Sequence, residues 1–375
     1  MSDRIHVATR KGLFTIERTA AGWSVARTAF LGDNCSMVLQ DARDGTTYLA
    51  CDHGHFGVKL HRSRDDGETW AECSVPIYPE KPADYEDLID AMHPQAYAWS
   101  LKLIWALAPG AANEPGVVWA GTAPGGLFRS TDGGGSWEMI RSLWDEPKRR
   151  EWFGGGYDYP GIHSICVDPR NARRIILGVS CGGVWVTEDA GKTWACRADG
   201  MRAEYMPPER AHEPYIQDAH CVVQCPAQPE VFWAQHHNGI FRSTDDLKSW
   251  KEIQGAVSSF GFPVAVHPRE ADTAWFVPGV KDECRIPAEG KLVVTRTRDG
   301  GKTFDVLREG LPQQHAYDLV FRHALDVDES GDRLVFGSTT GSLWVSENQG
   351  DSWQCVSTHL PPIHCTRFVK TPSSS

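Results

Sequence analysis

The chain lacks a long apolar run, a CxxC pair, a block of like charge and an HExxH segment. Its most apolar stretch, Leu101 to Ala112, is broken by Lys102 and Pro109 and is too short to span a bilayer. Met1-Ser2-Asp3-Arg4-Ile5-His6 holds no apolar core of a secretory signal. The expectation is a cytoplasmic protein with no membrane partner. The 11 cysteines are odd in number, and Cys35, Cys166 and Cys225 read as small buried hydrophobes in a reducing cytosol. A formal charge of -11 and a pI near 5.7 argue against a nucleic-acid partner. Without HExxH or a close His pair on a helix, any metal site has to be assembled from separated parts of the chain.

What is present is a repeat. Ser130-Thr131-Asp132-Gly133-Gly134-Gly135-Ser136-Trp137 follows the pattern Ser/Thr, any, Asp, any, Gly, any, Ser/Thr, aromatic. It recurs at Ser63–Trp70, Thr187–Trp194 and Thr297–Phe304. Two degraded copies follow the same plan: Ser243–Trp250 has Leu247 for Gly, and Ser346–Trp353 has Asn348 for Asp. Five of the 15 Trp sit in these boxes. Each box reads as a hairpin turn between strands. The Asp accepts backbone N–H groups, the Gly supplies positive φ and the aromatic residue anchors the next strand.

A period of 49 to 67 residues predicts one propeller of four-stranded blades rather than several domains. The N-terminal runs Ile5–Thr9, Gly12–Ile16 and Trp23–Val25 form three strands without a box, and Ile363–Val369 is a strand left over after the last box. Pairing the two ends closes the ring and gives seven blades, which removes exposed edges. The seven-bladed propeller is expected to span 1–375, the third blade beginning near Tyr97, the seventh near Tyr317 and the tail 371–375 frayed. Insertions at about 76–96, 142–160, 198–217 and 277–291 are expected to rim one face, because loops this long are usually functional.

The boxes resemble the Asp-boxes (BNR repeats) of sialidases, sortilin-type receptors, photosystem-assembly propellers and several seven-bladed glycosidases and polysaccharide lyases. The resemblance covers almost the whole chain. It implies the all-β propeller fold and a structural role for the box aspartates.

Histidine is the second signal, with 15 in the chain. Placing Pro169, Pro226 and Pro268 in register superposes His163 on His220 and on Phe262. Looser matching adds Trp99, Tyr317 and His364. These residues are expected to ring the channel mouth, with Asp218 and Asp318 close by and Tyr157, Asp158, Glu213 and Tyr215 on the loops. His163, His220 and His364 are the candidate ligands of a divalent metal (Zn, Mn, Fe or Ca). His163, His220, Tyr317 and Asp318 are the candidate acid–base groups. The alternative is that each His satisfies buried backbone. His236 and His237 alternate along a strand, so one ion is not expected to take both. His6, His61, His267 and His323 are expected elsewhere. Trp99, Lys102, Tyr157 and Arg367 are candidate substrate contacts, and Arg10, Lys11 and Arg285 are further cations for an anionic group. No organic cofactor is expected, and the oligomeric state is not set.

A sialidase resemblance fits poorly. Arg285-Ile286-Pro287 falls late in the chain, inside an insertion, and no Arg triad can be assigned. An inverting glucanase needs two carboxylates ~6.5–9.5 Å apart, for which Asp158, Glu213, Asp218 and Asp318 are available. Seven-bladed polysaccharide lyases, with a Tyr or His base and a cation, suit the His and Tyr set better. The expectation is an enzyme acting on a small polar or carbohydrate ligand by metal-assisted hydrolysis or lyase chemistry. The alternative is a non-catalytic assembly scaffold.

Overall fold

The structure, a computed structural model, describes residues 1–369. The expected frayed tail at 371–375 lies outside the described residues. Seven four-stranded antiparallel sheets form a seven-bladed propeller, with one four-residue α-helix at Arg141–Trp144. The inner strands of the blades are Ile363–Phe368, Asn34–Gln40, Leu103–Pro109, Ile162–Val167, Ala219–Gln224, Gly261–Val266 and Leu325–Val327. Blade one is the closure predicted from the leftover strand. Ile363–Phe368 pairs with Arg4–Thr9, opposing Ile5 to Phe368 and Val7 to Thr366.

The boxes explain the regularity. In the second copy, Asp132 Oδ1 accepts the Ser136 N–H at 2.9 Å and the Ser130 hydroxyl at 2.8 Å. Ser130 Oγ accepts the Gly134 N–H at 2.8 Å. Residues four and five of the box both take positive φ, as in Gly133 (67°) and Gly134 (85°). The degraded copies keep this geometry. Asn348 Oδ1 accepts the Ser352 N–H at 3.0 Å, and Leu247 adopts φ 65° while buried. The box Trp reaches back to the preceding blade: Trp137 Nε1 donates to the Ser74 carbonyl, and Trp250 Nε1 to that of Arg197.

Two inner strands begin later than expected, at Leu103 and Leu325. Tyr97 and Trp99 leave the strand to pack edge-on against Trp144 of the neighbouring insertion, at 5.9 and 5.3 Å. The insertions touch in series. Arg150 Nη2 donates to the Glu86 carbonyl at 2.7 Å, and the Lys148 ammonium lies 5.0 Å over the Tyr215 ring. Segments 142–160, 198–217 and 277–291 share one cavity through Gly155, Tyr205 and Arg285.

Candidate functional site

Most inner strands carry a bulge at one level. The register slips across Ser36, Trp105, His163, His220, Phe262 with Pro263, and His364 in blades two to six and one. A bulge turns an extra side chain away from the regular alternation. His220 stacks on Phe262 (4.5 Å, 15°), and Trp105 meets His163 edge-on at 5.7 Å. The blade-three member of this ring is therefore Trp105 rather than Trp99. Tyr317 lies eight residues before its inner strand and is 59% exposed.

Asp218, His220 and His237 offer ligand atoms within 4.8 Å of one another, the one such cluster of three or more among the described residues. All three sit where the first two strands of blade five begin and end, and the His237 N–H donates to the Asp218 carbonyl at 2.9 Å. Asp218 Oδ1 accepts the Cys181 N–H at 3.1 Å. That leaves Oδ2 to face His220 Nε2 at 3.2 Å and His237 Nδ1 at 3.5 Å. The Gly261 carbonyl lies 2.7 Å from His220 Nδ1 and can only accept, so Nδ1 carries the proton; Nε2 then presents a lone pair when the ring is neutral and donates to the carboxylate when it is protonated. Burial lowers the His220 pKa against the pull of Asp218. Burial raises the Asp218 carboxyl, but the charge and hydrogen bonds of His220 and His237 outweigh it and hold it well below the carboxylate range. Burial also lowers His237, yet Asp218 lifts it above its ordinary value. With both imidazoles neutral, a cation between them and Asp218 would meet lone pairs and a carboxylate; with either imidazole protonated, that ring itself donates to Asp218 Oδ2.

Gly155 and Gly156 let the 142–160 insertion lie on this group. A Cβ on Gly155 would meet Cys181 Sγ at 2.4 Å and Asp218 Oδ2 at 3.4 Å, and one on Gly156 would meet Arg322 Nη2 at 2.8 Å. The cavity beside the cluster, about 110 Å³, is also lined by Tyr205, Phe262, Asp282 and Arg285. A larger cavity of about 500 Å³ runs along the channel past His163, Arg322, His323 and Arg367.

The structure does not gather His163 and His364 with His220 as one ligand set. His163 Nδ1 engages Ser164 Oγ at 3.0 Å, and His364 Nδ1 lies 3.1 Å from the Cys35 carbonyl. Asp318 is tied locally, accepting the Ser338 hydroxyl at 2.7 Å. Trp99 belongs to the aromatic cluster under Trp144 and Tyr85. Lys102 is half-buried at the start of blade three, its N–H on the Ala123 carbonyl. Arg367 donates to the carbonyls of His323 (3.0 Å) and Thr366 (2.7 Å), which ties its charge to backbone in the channel. Tyr157 is 38% exposed, 6.3 Å from the Trp105 ring. His323, expected elsewhere, lines the channel and donates from Nε2 to the His163 carbonyl at 2.7 Å. Sequence reasoning passed over Arg322 and, having weighed His236 and His237 as a pair, gave His237 no ligand role. The run Gly154-Gly155-Gly156 was the available signal that backbone presses closely on something there.

No family model and no curated protein matches this chain. Solved structures match it in shape. An ancestral GH74 enzyme superposes with a TM-score of 0.58 at 16% identity over 85% of this chain and 38% of its own, so the present chain spans under half of that protein. A YCF48 protein bound to a D1 peptide gives 0.51 at 15% identity, covering 85% and 82%. A putative 6-phosphogluconolactonase from Bacteroides fragilis gives 0.54 at 11% identity, covering 98% of each. At these identities the shared property is the fold, a seven-bladed β-propeller that is an enzyme in one relative and holds a peptide in another.

Proposed function

We propose that the cavity under the insertions is a catalytic pocket in which Asp218, His220 and His237 hold one divalent cation. Its reaction is metal-assisted hydrolysis or elimination on a small polar substrate. The observation that carries this reading is the 3.2 Å approach of His220 Nε2 to Asp218 Oδ2 with Nδ1 already committed to Gly261. Metal–ligand bonds of ~2.0–2.2 Å place neighbouring tetrahedral ligands roughly 3.3–3.5 Å apart, close to the 3.2 and 3.5 Å separations here. Two imidazoles and one carboxylate suit Zn, Mn or Fe better than Ca. The Cys181 N–H on Asp218 and the Gly261 carbonyl on His220 orient the ligands from behind. A cation here would polarise a substrate oxygen or supply a hydroxide. We also read the chain as an Asp-box propeller, supported by six turns with one hydrogen-bonding plan.

The test is metal analysis of purified protein, before and after chelation and reloading with Zn, Mn or Fe(II). About one equivalent should remain in the wild type and in His364→Ala and be lost in Asp218→Asn and His237→Ala. A folded wild type that takes up none of these metals sinks the reading. The competing reading, a peptide-binding scaffold, draws on the exposed Ile77, Leu88 and Ile89 in and beside the first insertion. It requires that the metal-site variants leave partner binding intact.

A further inference from the structure

We infer that the substrate carries an oxyanion, a carboxylate or a phosphate, and that Arg322 receives it with Arg285 assisting. This rests on the pocket proposed above and names the chemistry of its ligand. Arg322 is 6% exposed, and its Nε and Nη2 are buried with no hydrogen-bond partner among the described residues. Its guanidinium is flanked instead by the Trp105 ring at 5.0 Å and the Phe262 ring at 5.1 Å. The nearby carboxylate is already committed, since Asp218 serves Cys181, His220 and His237. Arg285 lies over the same Phe262 ring at 5.3 Å and lines the small cavity, whereas Arg322 lines the larger channel cavity. Asp282 pairs with Arg285 at the rim, whereas Arg322 has no such carboxylate among the described residues.

A buried charge without a partner is costly, and a guanidinium is the side chain shaped to take two oxygens of a planar or tetrahedral anion at once. Gly156 opens the approach, since any side chain there would strike Arg322 Nη2. A ligand that engages both sites reaches from the channel cavity to the small one, with an acidic oxygen group on Arg322 and a hydroxyl or carbonyl oxygen on the cation. Sugar acids, hydroxy acids and sugar phosphates have this form.

Calorimetric titration with two probes, inorganic phosphate and gluconate, tests the inference on the whole protein. At least one should bind the wild type, at least tenfold more weakly to Arg322→Met and about threefold more weakly to Arg285→Ala. Metal content should not change in either variant. Gluconate alone binding identifies a carboxylate, and phosphate alone identifies a phosphoryl group. Arg285→Ala, altered at a partly exposed side chain at the rim, keeps the test valid if Arg322→Met fails to fold. Binding of neither probe to a metal-loaded wild type, or unchanged binding in both variants, overturns the oxyanion assignment and leaves the metal reading standing. Arginine-dependent binding to a protein that takes up no metal overturns the metal reading instead.

Discussion

Replacing Arg322 with Met should make the ligand-free protein more stable. The charge is 94% buried, its Nε and Nη2 find no acceptor among the described residues, and its compensation is two aromatic faces. Desolvating such a group costs several kcal/mol, and each unsatisfied buried donor adds about 1–3 kcal/mol. Two cation–π contacts return roughly 0.5–2 kcal/mol each. The first two costs overlap, so counting them once at about 4 kcal/mol against roughly 2 kcal/mol of cation–π return leaves about 2 kcal/mol against the folded state. Met keeps an unbranched stem between Trp105 and Phe262 without the charge. With an unfolding entropy of ~2.1 cal/mol/K per residue over 375 residues, the variant should melt about 2–3 °C higher. Urea titration and calorimetry at pH 7 measure this. The gap should narrow by at least about 1.4 kcal/mol at saturating oxyanion, because the ligand binds the wild type at least tenfold more tightly than the variant. A variant that loses 2 kcal/mol or more without ligand would show that Arg322 is satisfied structurally, and the argument for an anion would fail with it.

Other outcomes follow from the turns and the cluster. At Leu247, Gly should be tolerated better than Ala by about 1 kcal/mol, the reverse of the usual order, because relief of left-handed backbone strain adds to a cavity cost that both share; equal urea midpoints would contradict this. Asp65, Asp132 and Asp299 are each held at about 2 by hydrogen bonds from the Ser/Thr at both ends of their boxes. Their folded values lie below the unfolded ~3.9, so their contribution is complete above about pH 4 and is lost as pH falls toward 2; a melting temperature already falling between pH 7 and 5 would point to other groups. Asp218→Asn should abolish metal uptake while changing stability by less than about 2 kcal/mol, since the amide oxygen can still accept the Cys181 N–H; collapse of the fold would make Asp218 structural.

The propeller was legible because each box is a complete local argument. Eight residues specify a turn, its hydrogen bonds and its next anchor, so even Leu247 and Asn348 did not hide the copies. His220 was reachable through the prolines that fix the inner-strand register. His237 was not, because alternation along the strand assigns only one of His236 and His237 inward, and that strand stops at His236. His236 takes the buried place against Phe241, and His237, just past the strand, is free to turn toward Asp218. Tyr317 was misplaced because residues 308–324 carry no box to fix register. Arg322 escaped for the same reason, and its burial depends on Trp105 and Phe262 from two other blades.

The strand that closes blade one has a consequence for how the protein is made. Arg4–Thr9 leaves the ribosome well ahead of its inner partner, Ile363–Phe368, which comes more than 350 residues later. At ~5–20 residues per second, the first blade waits on the order of tens of seconds with a bare inner edge. During that interval the edge is open to any other extended chain, including a second nascent copy. The arrival of Ile363–Phe368 thus decides whether the ring seals on itself or is joined to a neighbour.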